Sequence, residues 1–448
     1  MLTVSDAEAR AAALIERATR AGADAADAIY IGEASTSVQV RLGELEDVAR
    51  SEGEEIGLRF FLGARSATVS SSDLSEDALA ALVDRAAAMA REAPEDPFAG
   101  LAPEDRLMRE PGPDVEGDDC CDPAPTEIKA RSLAIEEAAR GVEGVTNSDG
   151  AGVSAGRSVI ALATSHGFCR GYRTSGYSAS AAVIAGTGAD MQRDYAHHSV
   201  RHYLALDDPE TLGRLAGTRA VARLNPAKLP SGPMPVVFDP RVGASLVGHL
   251  VSAITGSAVT RRTSFLLEKE GEMVFAPGVT VRDDPHRPRG LRSKPFDGEG
   301  LPTAPTDIIA EGRLTGWLLD SASARQLGRA PTGHASRGAG GAPGVSATNL
   351  HMEPGTLSQA ELIRDIARGV YVTELIGQGV NPVTGDYSRG AAGFIIENGE
   401  IGRPVAEITI AGNLLEMFAA LTPASDLAFR RSVNVPTLRV EGMTVAGA

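Results

Sequence analysis

The sequence predicts an α+β fold: an N-terminal α/β unit with a small sheet, followed by larger, mostly antiparallel sheet domains with packed helices. Segments with apolar residues at helical spacing lie at both ends of residues 1–93, and short alternating runs rich in Val, Ile and Thr lie between them. The chain has 448 residues and 50 glycines, so we expect two or three domains with many tight turns.

The first domain is predicted over residues 1–95. An amphipathic helix opens it, with Ser5 as the N-cap and Gly22 as the stop. A second helix follows, capped by Asp73 or Ser75. Between the helices the pattern predicts a meander of short strands, separated by turns that contain glycine, at residues 28–31, 37–42, 56–61 and 66–70.

A connecting segment rich in Pro, Asp and Glu is predicted over residues 96–125, and it separates the first domain from a middle, β-rich domain over 126–230. The middle domain begins with a helix and ends with another. Its strands are rich in short hydroxyl side chains. The predicted elements are a helix at 127–140, strands at 158–165, 168–184 and 195–204, and a helix at 209–224.

The C-terminal domain is predicted over residues 231–448. A short strand at 233–239 leads directly into a helix at 241–255. The glycine-rich segment 333–344 is not expected to pack in a core, so it is either a mobile loop or a site lined by backbone. Further elements are strands at 306–310, 314–319 and 437–440 and a helix at 359–367.

Composition excludes several classes of partner. The formal net charge of −16 argues against nucleic acid and against an anionic membrane surface.

Residues 1–22 lack the pattern of a signal peptide, and no window approaches ~20 unbroken apolar residues. Cys120, Cys121 and Cys169 do not form a disulfide framework and are expected to be reduced thiols. We therefore predict a soluble cytoplasmic protein.

The most informative segment is 369–418, which begins GVYVTELIGQGVNPVTGDYSRGAAGF and ends PVAEITIAGNLLEMF. Its glycines and polar residues are dense, but apolar runs lie on either side, so it predicts ordered loops between strands. The order of its residues resembles the C-terminal signature of the TldD/PmbA family, and within that family the PmbA (TldE) branch. The family is known for a zinc peptidase.

The resemblance implies a degenerate metal site. In the zinc-bearing TldD branch, the helix after the PVVF-like strand carries His-Glu-x-x-x-His, whose histidines bind zinc and whose glutamate activates water. Ala244, Ser245 and His249 stand at the three corresponding positions here. The third ligand of that branch is a cysteine, and the corresponding interval 414–436 contains none. We therefore expect no catalytic residue, no metal site and no cofactor in this chain.

His249 has two interpretations. In the first it is a helix histidine that makes a satisfied hydrogen bond at a buried interface. In the second it is a surviving metal ligand, and His334 or His351 completes the site.

Two other motifs each have a structural and a functional interpretation. A strand-like run follows the GxSxG string at 152–156, so a turn between strands is favoured over a nucleophile elbow. On a strand, His198 and His202 would face the same side, next to His197. The polar surroundings favour a solvated sheet surface over a ligand set.

The signature loop also has two interpretations. In the structural one, Gly377, Gly379 and Gly385 set special backbone angles and the polar side chains cap neighbouring strands. In the functional one, the loop lines a groove in which an extended peptide pairs by backbone hydrogen bonds. The candidate peptide-binding residues are Gln378, Asn381, Thr384, Asp386, Ser388 and Arg389.

The resemblance implies a PmbA/TldE-like subunit of a TldD–TldE-type cytoplasmic metallopeptidase complex. Its expected partners are a TldD-like zinc peptidase subunit, which carries the zinc, and an extended or unfolded peptide; the chain could also form a homodimer. Two alternatives are a free-standing metallopeptidase with a non-standard metal site and a homodimeric binding protein without enzymatic activity.

Overall fold

The computed structural model describes residues 1–447; Ala448, the last residue of the predicted C-terminal domain, lies outside the described residues. The fold is a mixed α+β fold with several sheets and packed helices, as the sequence predicts. Within residues 1–447, no helix combines the length and the apolar character needed to cross a membrane.

The N-terminal half contains one long antiparallel sheet with helices packed on it. The strand order is β3-β2-β1-β4-β5-β6. The elements are α1 Val4–Arg20, β1 Ala25–Arg41, β2 Glu44–Leu62, β3 Arg65–Ser71, α2 Glu76–Glu92, α3 Pro125–Arg140, β4 Val145–Thr164, β5 Cys169–Ala185, β6 Gln192–Val200 and α4 Pro209–Ala222.

This sheet continues from the first predicted domain into the middle one. Strand β1 pairs with β4 from Asp27↔Thr164 to Val40↔Ala151. Helices α1 and α2 pack on one part of the sheet around residues such as Leu14. Helices α3 and α4 pack on another part around residues such as Ile135. The division at residues 95 and 125 stays a prediction, but the two segments share one hydrogen-bonded sheet.

The predicted meander is confirmed, since β1, β2 and β3 pair antiparallel in sequence order. Its strands were predicted too short, because β1 and β2 are continuous over 17 and 19 residues. Gly32 does not interrupt β1, since it pairs with Glu54 on one side and with Val159 on the other. The first N-cap is Thr3 and not Ser5: Thr3 Oγ1 accepts a hydrogen bond from the Asp6 amide at 3.2 Å.

Two motif interpretations in this half are also wrong. The GxSxG string at 152–156 lies inside β4, where the Ser154 and Ser178 hydroxyls lie 2.8 Å apart on adjacent strands. Strand β6 ends at Val200, so His202 does not share a strand face with His198. His198 is buried, and its Nδ1 accepts a hydrogen bond from the Asp207 amide at 3.2 Å, so it does not belong to a solvated surface.

The C-terminal half contains a second large sheet with loops and small sheets around it. Its elements are β7 Gly232–Phe238, α5 Pro240–Ala253, α6 Gly256–Thr260, β8 Val281–Asp283, β9 Thr306–Ala310, β10 Arg313–Leu314, α7 Ser321–Leu327, β11 Ala335–Ser336, β12 Gly344–Val345, β13 Leu350–Met352, α8 Gln359–Ile363, β14 Arg368–Ile376, β15 Asp386–Glu397, β16 Glu400–Asn413, α9 Leu414–Ala419, β17 Leu421–Pro423, β18 Val433–Asn434 and β19 Leu438–Ala446.

The large C-terminal sheet positions the candidate site. Its strand order is β16-β15-β14-β7-β19-β17, and β16 also pairs with β19, which joins the two sides of the sheet. Strands β7 and β14 run parallel, and the other pairings are antiparallel. The signature segment thus forms β14, β15 and β16, with a single long loop at 377–385.

Part of the glycine-rich segment 333–344 packs in a core, contrary to prediction, although other residues of the segment are exposed. Ala339 is 2% exposed and belongs to a cluster with Ile29 and Leu162 of the N-terminal sheet. The Arg337 side chain is fully buried and donates a hydrogen bond to Asp27. A segment of small residues can approach the sheet closely, which composition alone does not reveal.

Candidate functional site

Helix α5 begins where β7 ends, next to the parallel strand β14. Asp239 caps it, since its Oδ1 accepts a hydrogen bond from the Arg241 amide at 2.9 Å, and Pro240 occupies the first turn. Asp239 Oδ2 also accepts a hydrogen bond from the Tyr371 hydroxyl of β14 at 3.0 Å. The apolar face, with Leu246 in it, packs in the largest core of the chain. The start of α5 is therefore fixed against the sheet.

Ala244 and Ser245, the two residues that the resemblance sets at the positions of a ligand and a base, make ordinary helix contacts. Ala244 is partly buried and packs against the apolar core. The Ser245 hydroxyl donates to the carbonyl oxygen of Val242 at 2.7 Å, so its proton stays within its own helix. A methyl group and a hydroxyl bonded in this way provide no metal ligand and no base.

His249 lies one turn further along α5, with its ring against Tyr387 of β15. The ring centroids lie 6.1 Å apart at an interplanar angle of 75°, an edge-to-face arrangement. Burial, and then the positive charge of Arg389, lower the pKa of His249, so the ring is neutral at physiological pH. Among residues 1–447, its buried Nε2 has no hydrogen-bond partner, so the interpretation of a satisfied hydrogen bond is wrong.

The residues around His249 do not fit a zinc ion. A zinc site needs at least three protein ligands, and His249 supplies a single imidazole. In the described part of the chain, no group of three or more His, Cys, Asp or Glu side chains is arranged to hold a metal. The cationic Arg389 side chain next to the imidazole disfavours a second cation there.

His334 and His351 make other contacts. His334 Nδ1 lies 2.9 Å from Thr332 Oγ1, and its Nε2 lies 3.4 Å from the buried carboxylate of Asp283. His351 packs edge-on against Phe429, with ring centroids 5.2 Å apart. The structure does not gather these two histidines with His249 into a metal-binding group among the described residues.

Three of the six peptide-binding candidates hold the signature loop in shape. Asn381 Oδ1 accepts hydrogen bonds from the amides of Val383 and Thr384, at 2.9 and 3.3 Å. The Thr384 hydroxyl donates to Asp386 Oδ2 at 2.6 Å, and Asn413 Nδ2 donates to Asp386 Oδ1 at 3.2 Å. These bonds lower the pKa of Asp386. Asn381, Thr384 and Asp386 therefore have a structural role.

The glycines of the loop serve two purposes. Gly377 and Gly385 have φ angles of +80° and +79°, as predicted. Gly379 does not have a positive φ; it is needed because a Cβ there would lie 1.6 Å from the Ser388 carbonyl oxygen. The remaining candidates Gln378 and Ser388 are exposed on this loop and the adjacent strand.

Arg389, the sixth candidate, lines a cavity of about 300 Å³ between β6, α4, α5, β14 and β15. Ser245 and Thr373 line the same cavity, and so do Asp194 and Arg241. Sequence reasoning missed Asp194, Arg241 and Thr373, because they come from three separate elements. A basic residue in the first turn after the Asp239 helix cap was the only local signal for Arg241.

Three family models match the chain in order. They are the PmbA/TldA metallopeptidase domain 1 at residues 26–90, the central domain at 118–224 and the C-terminal domain at 231–447. The chain is 38% identical over 426 residues to Metalloprotease PmbA of Escherichia coli O157:H7, covering 95% of this chain and 92% of that protein. The chain belongs to the PmbA/TldD family.

Other family members and solved structures extend the likeness over the whole chain. The Metalloprotease PmbA homolog of Haemophilus influenzae is 36% identical over 436 residues, covering 97% of this chain and 94% of that protein. The structure of a candidate modulator of DNA gyrase from Bacteroides thetaiotaomicron covers 100% of both chains with a TM-score of 0.91 and 26% identity. TldE from Thermococcus kodakarensis shares the fold, with a TM-score of 0.87, 22% identity, and 97% and 99% coverage of this and that chain.

Proposed function

We propose that the chain is the PmbA/TldE-type subunit of a cytoplasmic metallopeptidase complex, in which a TldD-like partner chain carries the zinc. In this proposal the chain contributes to assembly and to peptide binding and does not itself cleave bonds. The observation that carries the proposal is helix α5, which has a partly buried methyl at Ala244 and an internally bonded hydroxyl at Ser245 where the zinc branch needs a ligand and a base.

Electrostatics at His249 support the same proposal. Its imidazole is kept neutral by burial and by Arg389, so its lone pair is available, but a single imidazole binds zinc weakly. A divalent cation at that nitrogen would also be repelled by the guanidinium. Catalysis through metal-bound water would then require a second chain.

The signature loop supports a peptide-binding role. Its internal hydrogen bonds hold it in one conformation, so its exposed groups are held ready for a ligand. Ile376 and Val383 are 58% and 52% exposed beside the polar Gln378 and Ser388. Exposed apolar side chains beside exposed polar ones suit an extended peptide, which pairs through main-chain hydrogen bonds and places its side chains against such groups.

Reconstitution with a TldD-like chain tests the proposal. Each chain is purified alone and both are co-expressed; zinc is measured by mass spectrometry and cleavage is followed with a fluorogenic unfolded peptide. We expect peptidase activity in the mixture, loss of that activity with a chelator, and neither zinc nor activity in this chain alone. His249→Ala should leave most of the activity of the mixture, whereas substitution of the partner's zinc-binding histidines should abolish it.

Other results would support the alternatives. Stoichiometric zinc and peptidase activity in this chain alone would establish a free-standing metallopeptidase and overturn the proposal. A stable homodimer that neither pairs with the TldD-like chain nor alters its activity would favour a binding protein without a peptidase role.

A further inference from the structure

The cavity that Arg389 lines is basic within an acidic chain. Four arginines line it, namely Arg193, Arg223, Arg241 and Arg389, together with the carboxylates of Asp194 and Glu374. The chain as a whole has a formal charge of −16, so this local excess of positive charge contrasts with the average surface.

Three of the four arginines are already paired. Arg241 Nη1 donates to Asp194 Oδ1 at 2.7 Å, and Arg223 donates to Glu374. Arg193 Nε donates to Asp149 at 2.7 Å. Among residues 1–447 the guanidinium of Arg389 forms no ion pair with a carboxylate, and its buried Nε has no hydrogen-bond partner. One positive charge in the cavity is therefore uncompensated by its neighbours.

Several buried polar atoms around the cavity also lack partners among the described residues. They are Arg241 Nε, Thr373 Oγ1 and Arg389 Nε. The Arg241 side chain is 8% exposed and Thr373 is 5% exposed, so water does not freely satisfy either one. Buried donors of this kind are nearly always bonded in native proteins, so their concentration at one cavity indicates a ligand with acceptor oxygens.

We propose that this cavity binds a carboxylate group of a peptide ligand, with Arg389 and the Thr373 hydroxyl as donors. The planar fork of a guanidinium matches the two oxygens of a carboxylate. The guanidinium of Arg389 can compensate the one negative charge of a carboxylate. The second negative charge of a phosphate dianion would remain uncompensated beside the carboxylates of Asp194 and Glu374. A volume of about 300 Å³ accommodates a terminal residue and little more.

The carboxylate could come from a peptide C-terminus or from an Asp or Glu side chain. Both sources belong to a peptide, so the proposal rests on the proposed peptide-binding function. The cavity itself can be tested separately with a small carboxylate. The small probes are N-acetyl-Ala-Ala and its C-terminal amide. The long probe is an unfolded, fluorescein-labelled peptide in three forms: the free acid, the C-terminal amide, and the amide with one internal Asp. Binding to the full-length chain is measured by calorimetry for the small probes and by anisotropy for the peptides.

We expect both free acids to bind at least roughly tenfold more tightly than their amides, as charged hydrogen bonds predict. Arg389→Ala should reduce that ratio to nearly one. Thr373→Val, which keeps the shape and removes the hydroxyl, should reduce it partly, and provides a second reading if Arg389→Ala folds poorly. Arg214→Ala is the matched control, since Arg214 lies on the exposed face of α4 and pairs with Glu210. If the internal Asp restores tight, Arg389-dependent binding to the amide, the source is a side chain.

The outcomes separate this proposal from the proposed function. If the long peptides bind equally well as acid and amide, the carboxylate site is overturned and peptide binding stands. If only N-acetyl-Ala-Ala binds, in an Arg389-dependent way, the site stands and the peptide-binding function fails. Equal loss of acid and amide binding in Arg389→Ala would also overturn the carboxylate site, since Arg389 would then act on the peptide in another way.

Discussion

The guanidinium of Arg241 donates two hydrogen bonds to the carboxylate of Asp194, at 2.7 and 3.3 Å, and so ties the start of helix α5 to strand β6. Arg223, at the end of α4, lies 3.7 Å from the same carboxylate. Burial disfavours the charge of Arg241, but the hydrogen bonds and charge of Asp194 outweigh burial and raise the pKa of Arg241. This carboxylate thus joins the middle and C-terminal segments.

Asp194→Ala should destabilise the protein by about 3–5 kcal/mol, because it leaves the buried guanidinium of Arg241 without its main partner and removes a second carboxylate from the neighbourhood of Arg223. Denaturant unfolding measures the loss. The control is Glu210→Ala, which breaks the Arg214–Glu210 pair, whose side chains are 66% and 65% exposed. It should cost less than about 1 kcal/mol. Equal effects of the two substitutions would contradict a structural role for the buried pair.

Two glycines in strand β2 should respond differently to the same substitution. A Cβ at Gly57 would lie 1.9 Å from the carbonyl oxygen of Ala339, whereas a Cβ at Gly53 meets no atom within 4 Å. Gly57→Ala should therefore cost about 1–3 kcal/mol through overpacking. Gly53→Ala should be neutral or stabilise by up to about 1 kcal/mol, since it restricts the unfolded chain. Thermal unfolding of both variants checks this, and matching melting temperatures would show that segment 333–344 does not dock on β2.

The sequence predicts features that depend on neighbouring residues, such as helix caps, better than features that depend on distant residues, such as strand lengths. Ser75 was one of two candidate caps for α2 because a hydroxyl before an apolar-periodic run is a local pattern, and the structure shows its side chain accepting from Ala78. Strand lengths were underestimated, because a glycine with paired strands on both sides continues the ladder. Whether such partners exist depends on residues far away, as with Gly32 and its neighbours Glu54 and Val159.

The candidate site shows the same limit. The sequence places Ala244, Ser245 and His249 on one helix and names Arg389 as a polar residue of the signature. It cannot show that Arg389 shares a cavity with Asp194, which lies in another sheet. Ion pairs between distant segments produce no periodic pattern in the sequence. Their partners can be identified only once the fold brings the segments together.

Glu299 should make the free energy of unfolding depend on pH. It is 4% exposed, and its Oε2 accepts hydrogen bonds from the Ser321 amide and hydroxyl at 2.9 and 2.6 Å. Burial, and then the charge of Asp297, raise its pKa from 4.5 to about 7. The folded state therefore holds this proton more tightly than the unfolded state does. The resulting stability is complete below pH 4.5 and is lost as the pH rises towards 7.

Glu299→Gln removes this proton and keeps an oxygen that can accept from Ser321. At pH 8 the variant should be more stable than the wild type by roughly 1–3 kcal/mol, and the difference should shrink as the pH falls towards 4.5. Urea unfolding between pH 4.5 and 8 measures it. Glu272→Gln, at an exposed position, serves as the control and should run parallel to the wild type. A stability difference for Glu299→Gln that does not vary with pH would show that Glu299 is ionised throughout.

His249→Phe tests the histidine both as a packing residue and as a metal ligand. Its Nε2 has no partner among the described residues, and its ring packs edge-on against Tyr387, so a phenyl ring can take its place. At pH 8 the variant should unfold within about 1 kcal/mol of the wild type, and a mixture with a TldD-like chain should keep its peptidase activity.

The pH dependence of His249→Phe separates these roles further. The lowered pKa of His249 means that the folded state binds a proton less readily than the unfolded state. The wild type should therefore lose stability as the pH falls below about 6.5, and the phenylalanine variant should not share that loss. Tyr387→Phe keeps the ring that packs against His249, removes only the hydroxyl, and should keep the wild-type pH dependence. A constant difference between His249→Phe and the wild type from pH 8 to 5, or loss of activity in the mixture, would show instead that the imidazole binds a proton or a metal in the folded protein.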